Sequence, residues 1–368
     1  MFKNYFKIAW RSIFRNKFYS LVNIIGLSAG IAFTFLTGGY VWNELQVNKN
    51  ISNADNQYII QSKWRDPNQG YPLTSFGPLA KALRQQFPNL VKNYYRWDGV
   101  TSIVSKGDKH FREGLQIGDS SFLTMYGFKL LYGNAKTALN NPYSVVITED
   151  RAIKYFGRKD VLGQTLTIQS FSGTKHDFMI TGVMKTVPAN SVLKLNNDND
   201  NHIFLGNSSM NFFGRNMEAW QNVYILNLVE LQNGITPKDL EKPIAQLVKA
   251  NTSAQVSNDV TPYLTTLKDY YLETNNGLVK KMLYTLSCIA LFILLMAVVN
   301  FVNISVSRSA ARMREIGVRK VLGGLRKQLL LQFLTESILL VLFATLLALV
   351  IYVLTRNYFS GLVGKEVP

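Results

Sequence analysis

Three stretches of this chain are long and predominantly apolar, and the rest mixes apolar and polar positions at the periods of helices and strands. Residues 20–43 and 282–306 carry no charge, and residues 329–355 carry one, Glu336. At about 1.5 Å per helical residue such a run reaches roughly 35 Å, more than the ~30 Å of a bilayer's hydrocarbon core. Three transmembrane helices are therefore predicted.

Ahead of the first run, residues 1–19 have helical periodicity. Phe2, Phe6, Ala9 and Ile13 share one arc of a 100° wheel, and Lys3, Lys7, Arg11 and Arg15 fan across the other side. That is the pattern of a helix lying in a membrane interface with lipid as its partner. The apolar run that follows exceeds the roughly 7 to 15 residues of a signal peptide and lacks a small-x-small cleavage site, so this helix is expected to stay attached.

Residues 44–281 hold no span-length apolar run and have mixed α+β punctuation. Strands are predicted at 57–64, 100–106, 109–117, 144–147, 165–169, 178–184 and 223–231, with Gly107-Asp108 as a hairpin turn. Helices are predicted at 78–87, stopped by Pro88, at 149–156 behind a Thr148 cap and ahead of Gly157, and from Thr236-Pro237 to about residue 249. Residues 189–201, rich in Asn, Asp and Ser, are expected to form a mobile loop.

Charge fixes the orientation. The net charge is +17, but residues 1–19 hold five basic groups and no acid, and residues 307–328 hold seven against Glu315 alone. Basicity concentrated beside membrane spans is topological and does not suggest a nucleic-acid partner. Both segments are placed in the cytosol, which puts 44–281 outside. Within 307–328, Ala310, Met313, Ile316 and Val321 interleave with the charges, and Gly323-Gly324 reads as a helix stop. Such a folded basic surface suits a protein partner, and a solvated loop held by anionic lipid is the competing reading.

Within the spans, Gly26 and Gly30 form a small-xxx-small face. Asn300 and Asn303 are expected to be interhelical hydrogen-bond glue, and Glu336 to serve helix pairing rather than proton transport. Cys288 has no partner for a disulfide. His110, His176 and His202 lack metal-ligand spacing and are expected to be exposed, so no metal, cofactor or catalytic set is predicted. No G-x-x-x-x-G-K-[ST] phosphate loop exists in the sequence.

The run Arg314-Glu315-Ile316-Gly317-Val318-Arg319-Lys320, Gly323-Gly324 and Gln332-Phe333-Leu334-Thr335-Glu336 resembles the coupling loop and following span of MacB/FtsX-like ABC transporter permeases. Residues 144–149, Phe156-Gly157, Leu162-Gly163-Gln164, Ile180-Thr181-Gly182-Val183 and Pro188-Ala189-Asn190-Ser191 resemble that family's periplasmic core domain. The resemblance implies an inner-membrane permease subunit acting in efflux or extraction of peptides, drugs or lipoproteins. It implies a separate cytosolic ATP-binding cassette ATPase, with Arg314, Glu315, Ile316, Gly317, Arg319 and Lys320 as the coupling residues. It also implies pairing as a homodimer or with a second permease half.

The expected organisation is an interface helix at 1–19, spans at 20–43, 282–306 and 329–355, a core domain at 44–281 and a coupling loop at 307–328. Residues 356–368 are then an external tail. Because the resembling permeases close with a fourth span, the chain is expected to be the first part of a longer one. A membrane-anchored ligand sensor is the alternative, disfavoured by the third span and by the lack of a cytosolic output domain.

Overall fold

The computed structural model describes residues 2–46, 48, 51–66, 68–186, 201–311, 313, 317–318, 321, 326–363 and 367. The elements begin with α1 (Phe2–Arg15), α2 (Lys17–Leu45), β1 (Gln57–Trp64), α3 (Leu79–Gln86), β2 (Val91–Lys106), β3 (Lys109–Gly118) and α4 (Phe122–Tyr126). They continue with β4 (Leu130–Gly133), β5 (Ser144–Thr148), α5 (Glu149–Phe156), β6 (Thr165–Gln169), β7 (Lys175–Met184), β8 (Ile203–Gly206) and β9 (Leu226–Leu231). The last are α6 (Pro237–Asn251), α7 (Ala254–Asp259), β10 (Val260–Thr266), α8 (Leu267–Ala311) and α9 (Arg326–Val363). Two compact units result, residues 47–274 and residues 1–46 with 275–368.

In the 47–274 unit, β1, β2, β9 and β10 make an antiparallel sheet in the order β10-β1-β9-β2. With α3 between β1 and β2 and α6 between β9 and β10, this is the split β-α-β arrangement of a ferredoxin-like lobe. Period-2 alternation sorts the side chains. Ile60 and Val229 meet α3 and α6 through Leu79, Leu83, Leu240 and Ile244, while Ile59 and Leu228 meet the aromatic layer of Tyr95, Trp97, Phe122 and Tyr126.

Between β2 and β9 the chain inserts a second lobe. Its strands bond in the cycle β2-β3-β8-β5-β7-β6, and β6 returns to β2 through Val104↔Ile168 and Ser105↔Thr167. The result is a closed six-stranded barrel filled by Val104, Leu115, Ile147, Ile168, Phe178 and Ile203, all fully buried. Each such side chain contributes on the order of 1.5 to 3 kcal/mol by leaving water.

Several expected elements need correction. The strand expected at 100–106 begins at Val91, because Arg96 and Asp98, which interrupt the apolar alternation, are themselves buried. Thr148 stands at the N-cap of α5 without capping it. Its hydroxyl meets His202 Nδ1 at 3.0 Å instead. His202 is therefore half-buried, unlike the exposed His110 and His176. α4, β4, α7, β8 and β10 are additional to the expected elements. Apart from Asn201, which is buried, the loop expected at 189–201 lies outside the described residues.

In the other unit the expected interface helix ends at Arg15, and α2 begins at Lys17 after a turn at Asn16. Ala9 and Ile13 of α1 are buried against Leu339 and Leu340 of α9. Phe6 departs from that arc. It is half exposed and stacks on Trp10 at 6.1 Å, and Trp10 in turn packs on Phe343 at 5.7 Å. α9 lies along α2 and runs through Val363, so it takes in part of the stretch expected to be tail. By length and composition, Lys17–Leu45, Gly277–Arg308 and Lys327–Val363 are apolar enough to cross a membrane.

Candidate functional site

The basic loop leaves α8 at Arg308, and the described contacts there set what the loop is attached to. Arg308 Nη1 lies 2.6 Å from Glu336 Oε1 of α9, with the side chains 12% and 7% exposed. Arg308 Nη2 donates to Ser12 Oγ of α1 at 2.8 Å, and the Ser12 hydroxyl donates to Glu336 Oε1 at 3.0 Å. The guanidinium also lies over the Tyr19 ring at 4.2 Å, while the Tyr19 hydroxyl donates to Ser305 Oγ at 3.1 Å. Four helices therefore meet at one charged pair. Each member has a physical reason to be there, since a carboxylate in an apolar helix is tolerated when a cation and a hydroxyl satisfy it.

Glu336 stood out in the sequence as an ionisable residue in a span. Its partners did not, because Arg308 reads as one more loop charge and Ser12 as one polar residue of an amphipathic helix. The available signal was the position of Ser12 between Ala9 and Ile13, on the arc that packs.

Gly26 and Gly30 face α8. A Cβ at Gly30 would stand 2.7 Å from Ala297 Cβ, and one at Gly26 would stand 3.6 Å from Asn300 Nδ2. At Gly30 only a residue without a side chain allows so close an approach, whereas the distance at Gly26 is ordinary van der Waals contact. Asn300 and Asn303 are both exposed, Asn300 borders α2, and neither side chain makes a hydrogen bond among the described residues, unlike the interhelical bonds expected of them. Of the coupling residues, Arg314, Glu315, Ile316, Arg319 and Lys320 lie outside the described residues, as do Gly323 and Gly324. Gly317 is helical and exposed, with open space around it. Met313, Val318 and Val321 are helical too, and 67%, 60% and 89% exposed.

In the 47–274 unit two charged clusters are satisfied by residues of the unit itself. Arg96 is buried, donates from Nε and Nη2 to Asp119 at 2.9 and 3.0 Å, and reaches Glu218, Gly77 O and Met217 O. Burial pushes the Glu218 carboxyl up, but Arg96 and Lys81 outweigh it and hold it below its ordinary value. Burial likewise opposes ionisation of Asp150, yet His202, Thr148 and Thr186 hold that carboxyl well below the usual range. Thr148 Oγ1 and Asp150 Oδ2 approach the same ring nitrogen, His202 Nδ1, at 3.0 and 3.4 Å. A relay between nucleophile and carboxylate needs opposite nitrogens, so this cluster is a structural clasp. Among the described residues no group of His, Cys, Asp and Glu could hold a metal ion.

Family models match most of the chain, a MacB-like periplasmic core domain over residues 20–247 and an FtsX-like permease C-terminal domain over residues 287–366. The chain belongs to the MacB/FtsX-like ABC transporter permease family. The permease thus combines three candidate membrane helices with an α/β extracytoplasmic domain. A permease-protein domain from Porphyromonas gingivalis is 22% identical, with a TM-score of 0.48, over 59% of this chain and 92% of that one. The periplasmic region of MacB from Actinobacillus actinomycetemcomitans is 16% identical, with a TM-score of 0.44, over 64% of this chain and 98% of that one. The extracellular domain of the ABC-type transporter YknZ from Gram-positive bacteria is 14% identical, with a TM-score of 0.41, over 57% of this chain and 100% of that one. No curated protein matches the chain.

Proposed function

We propose that this permease takes its energy from a separate cytosolic ATP-binding cassette ATPase that docks on residues 307–328, and that it passes the resulting motion to the extracytoplasmic domain. The amino terminus and the loop lie in the cytosol, three helices span the inner membrane, and two permease halves, identical or not, form the working unit. The cargo is of the kind that family moves: peptides, drugs or lipoproteins, handled outside the membrane. ATP hydrolysis belongs to the partner, since no phosphate loop is present in the sequence.

One observation supports this reading above others: Met313, Val318 and Val321 are helical and mostly exposed on a loop otherwise rich in Arg and Lys. A loop needed only for its charge has no use for apolar side chains held out to solvent, whereas a docking surface needs apolar anchors within a polar rim. In this proposal Ile316 is an anchor, and Arg314, Glu315, Arg319 and Lys320 form the rim around the clearance left by Gly317. Replacing Glu315 and Ile316 together with Ala should abolish co-purification with the ATPase while leaving membrane insertion unchanged, because the topogenic charges remain. A double variant that still binds and stimulates the ATPase like the parent overturns the assignment in favour of lipid contact.

A further inference from the structure

We propose that the aromatic surface at the end of the barrel where β6 turns into β7 is a binding site for a short neutral saccharide, whose rings stack on Tyr143 and Phe171. The site lies in the 47–274 unit, and its occupation does not depend on an ATPase docking at residues 307–328.

Tyr143 marks the site. It stands third in the turn Asn141-Pro142-Tyr143-Ser144, closed by Ser144 N donating to Asn141 O at 3.4 Å, and its φ is 57°. That left-handed backbone suits glycine, and asparagine tolerates it. Among the described residues the other non-glycine positions with positive φ are Asn48 and Asn53, so Tyr143 is the bulky exception. A backbone held against its preference is kept where it places a side chain for use. Here it lays the Tyr143 ring flat on His176, with centroids 3.6 Å apart and planes 14° from parallel.

Packing does not require this stack. Phe178 and Phe212 meet both rings edge-on, and Phe178 is already fully buried beneath them. Tyr143 stays 36% exposed, and His176 is exposed as well. Phe212 and Phe213, 4.9 Å apart, lead across to Phe171, which is 56% exposed and carries the Arg215 guanidinium 5.4 Å from its centroid. Exposure of rings is not enough to select a site, since Tyr71 and Tyr224 also meet at the surface, at 6.2 Å. Those two have no positive φ.

The polar atoms beside the rings select the occupant. His176 Nδ1 lies 2.9 Å from Asp177 O, so that nitrogen carries the hydrogen and Nε2 is the free one. The Tyr143 hydroxyl makes no hydrogen bond among the described residues. Charges cancel: Arg215 lies 3.6 Å from Asp98, and Lys175 and Asp177 supply one of each sign on β7. An ionic ligand therefore gains little. A pyranose has an apolar C–H face for the negative face of an aromatic ring, and hydroxyls at its rim for the phenol, the imidazole nitrogen and the remaining N–H groups of Arg215. An apolar peptide side chain would cover the rings and leave those polar groups unmet.

The test titrates the full-length permease, held in a sugar-free detergent, with maltotriose, cellotriose and chitotriose, and reads binding by saturation-transfer NMR. At least one trisaccharide should bind. Phe171→Ala should weaken it roughly two- to tenfold, the range a single stacked ring supplies. Tyr143→Gly should weaken it as much while leaving the thermal midpoint in place or raising it, because glycine relieves the left-handed backbone. Tyr71→Ala should leave binding unchanged. If no trisaccharide binds, or if only a capped Leu-Phe-Leu peptide does, the saccharide assignment is overturned. Trisaccharide binding that survives both Tyr143→Gly and Phe171→Ala overturns the site. Affinity lost only in step with a fallen thermal midpoint makes the stack part of the packing and overturns it equally.

Discussion

The pair formed by Arg308 and Glu336 invites a double-mutant cycle, because the structure fixes what each single change leaves behind. Glu336→Leu strands a guanidinium that is 12% exposed, and Arg308→Leu strands a carboxylate that is 7% exposed. Removing one partner of a buried pair costs about 3 to 5 kcal/mol, since the remaining charge is left without compensation. The two halves differ. The long Arg308 stem can carry its head toward water, which puts Glu336→Leu near the low end, about 3 kcal/mol. The shorter Glu336 stem has no such escape, so Arg308→Leu falls nearer 5 kcal/mol. Replacing both with leucine removes both desolvation penalties and should end within about 1 kcal/mol of the parent, far below the sum of the singles. Trp10 packs on Phe343 of α9, so its fluorescence during unfolding in mixed detergent micelles, read with Trp42, Trp64, Trp97 and Trp220 replaced by Phe, reports on this region of the bundle. Single changes that add to within about 0.5 kcal/mol of the double would refute the buried pair.

Three further outcomes follow from the same structure. Gly30→Ala places a Cβ 2.7 Å from that of Ala297 and should lower the thermal midpoint of the detergent-solubilised permease, whereas Gly38→Ala, with nothing within 4 Å, should leave it in place. Arg96→Met leaves Asp119 without its bidentate partner and should cost about 3 to 5 kcal/mol in denaturant unfolding of the extracytoplasmic domain within the full chain. Asp150 and Glu218 are both held below their ordinary values. Their contribution is therefore fully present above the unfolded-state carboxylate range, near about 4, and is lost as pH falls through the lower folded-state values. Melting temperatures measured down through that range should drop more steeply in the parent than in Asp150→Asn, and equal slopes would count against the clasp.

β1 and β6 were legible from the sequence to the residue: β6 alternates cleanly, whereas β1 buries Ile59 and Ile60 on opposite sides and was marked by its β-prone run. The first half of β2 was not. Arg96 and Asp98 sit where alternation calls for apolar residues, and what satisfies them, Asp119, Glu218 and Arg215, lies far along the chain. Closure of the barrel was hidden for a similar reason. It depends on two residue pairs joining β2 to β6 across a long separation, and nothing local to either strand records its partner. At the base of the loop, apolar runs located the spans and charge counts oriented them, yet both methods sum over residues. The Arg308, Ser12 and Glu336 cluster depends on individual side chains from three elements, which no sum retains.

The membrane helices meet their polar groups unevenly: the Asn23 side chain is buried without a hydrogen-bond partner among the described residues, whereas the charges at the base of the basic loop are paired. A carboxylate, a guanidinium and a hydroxyl buried among apolar helices must be satisfied in place, and Glu336, Arg308 and Ser12 do so among themselves. That arrangement keeps the start of the basic loop bonded to α1 and α9 without any partner chain.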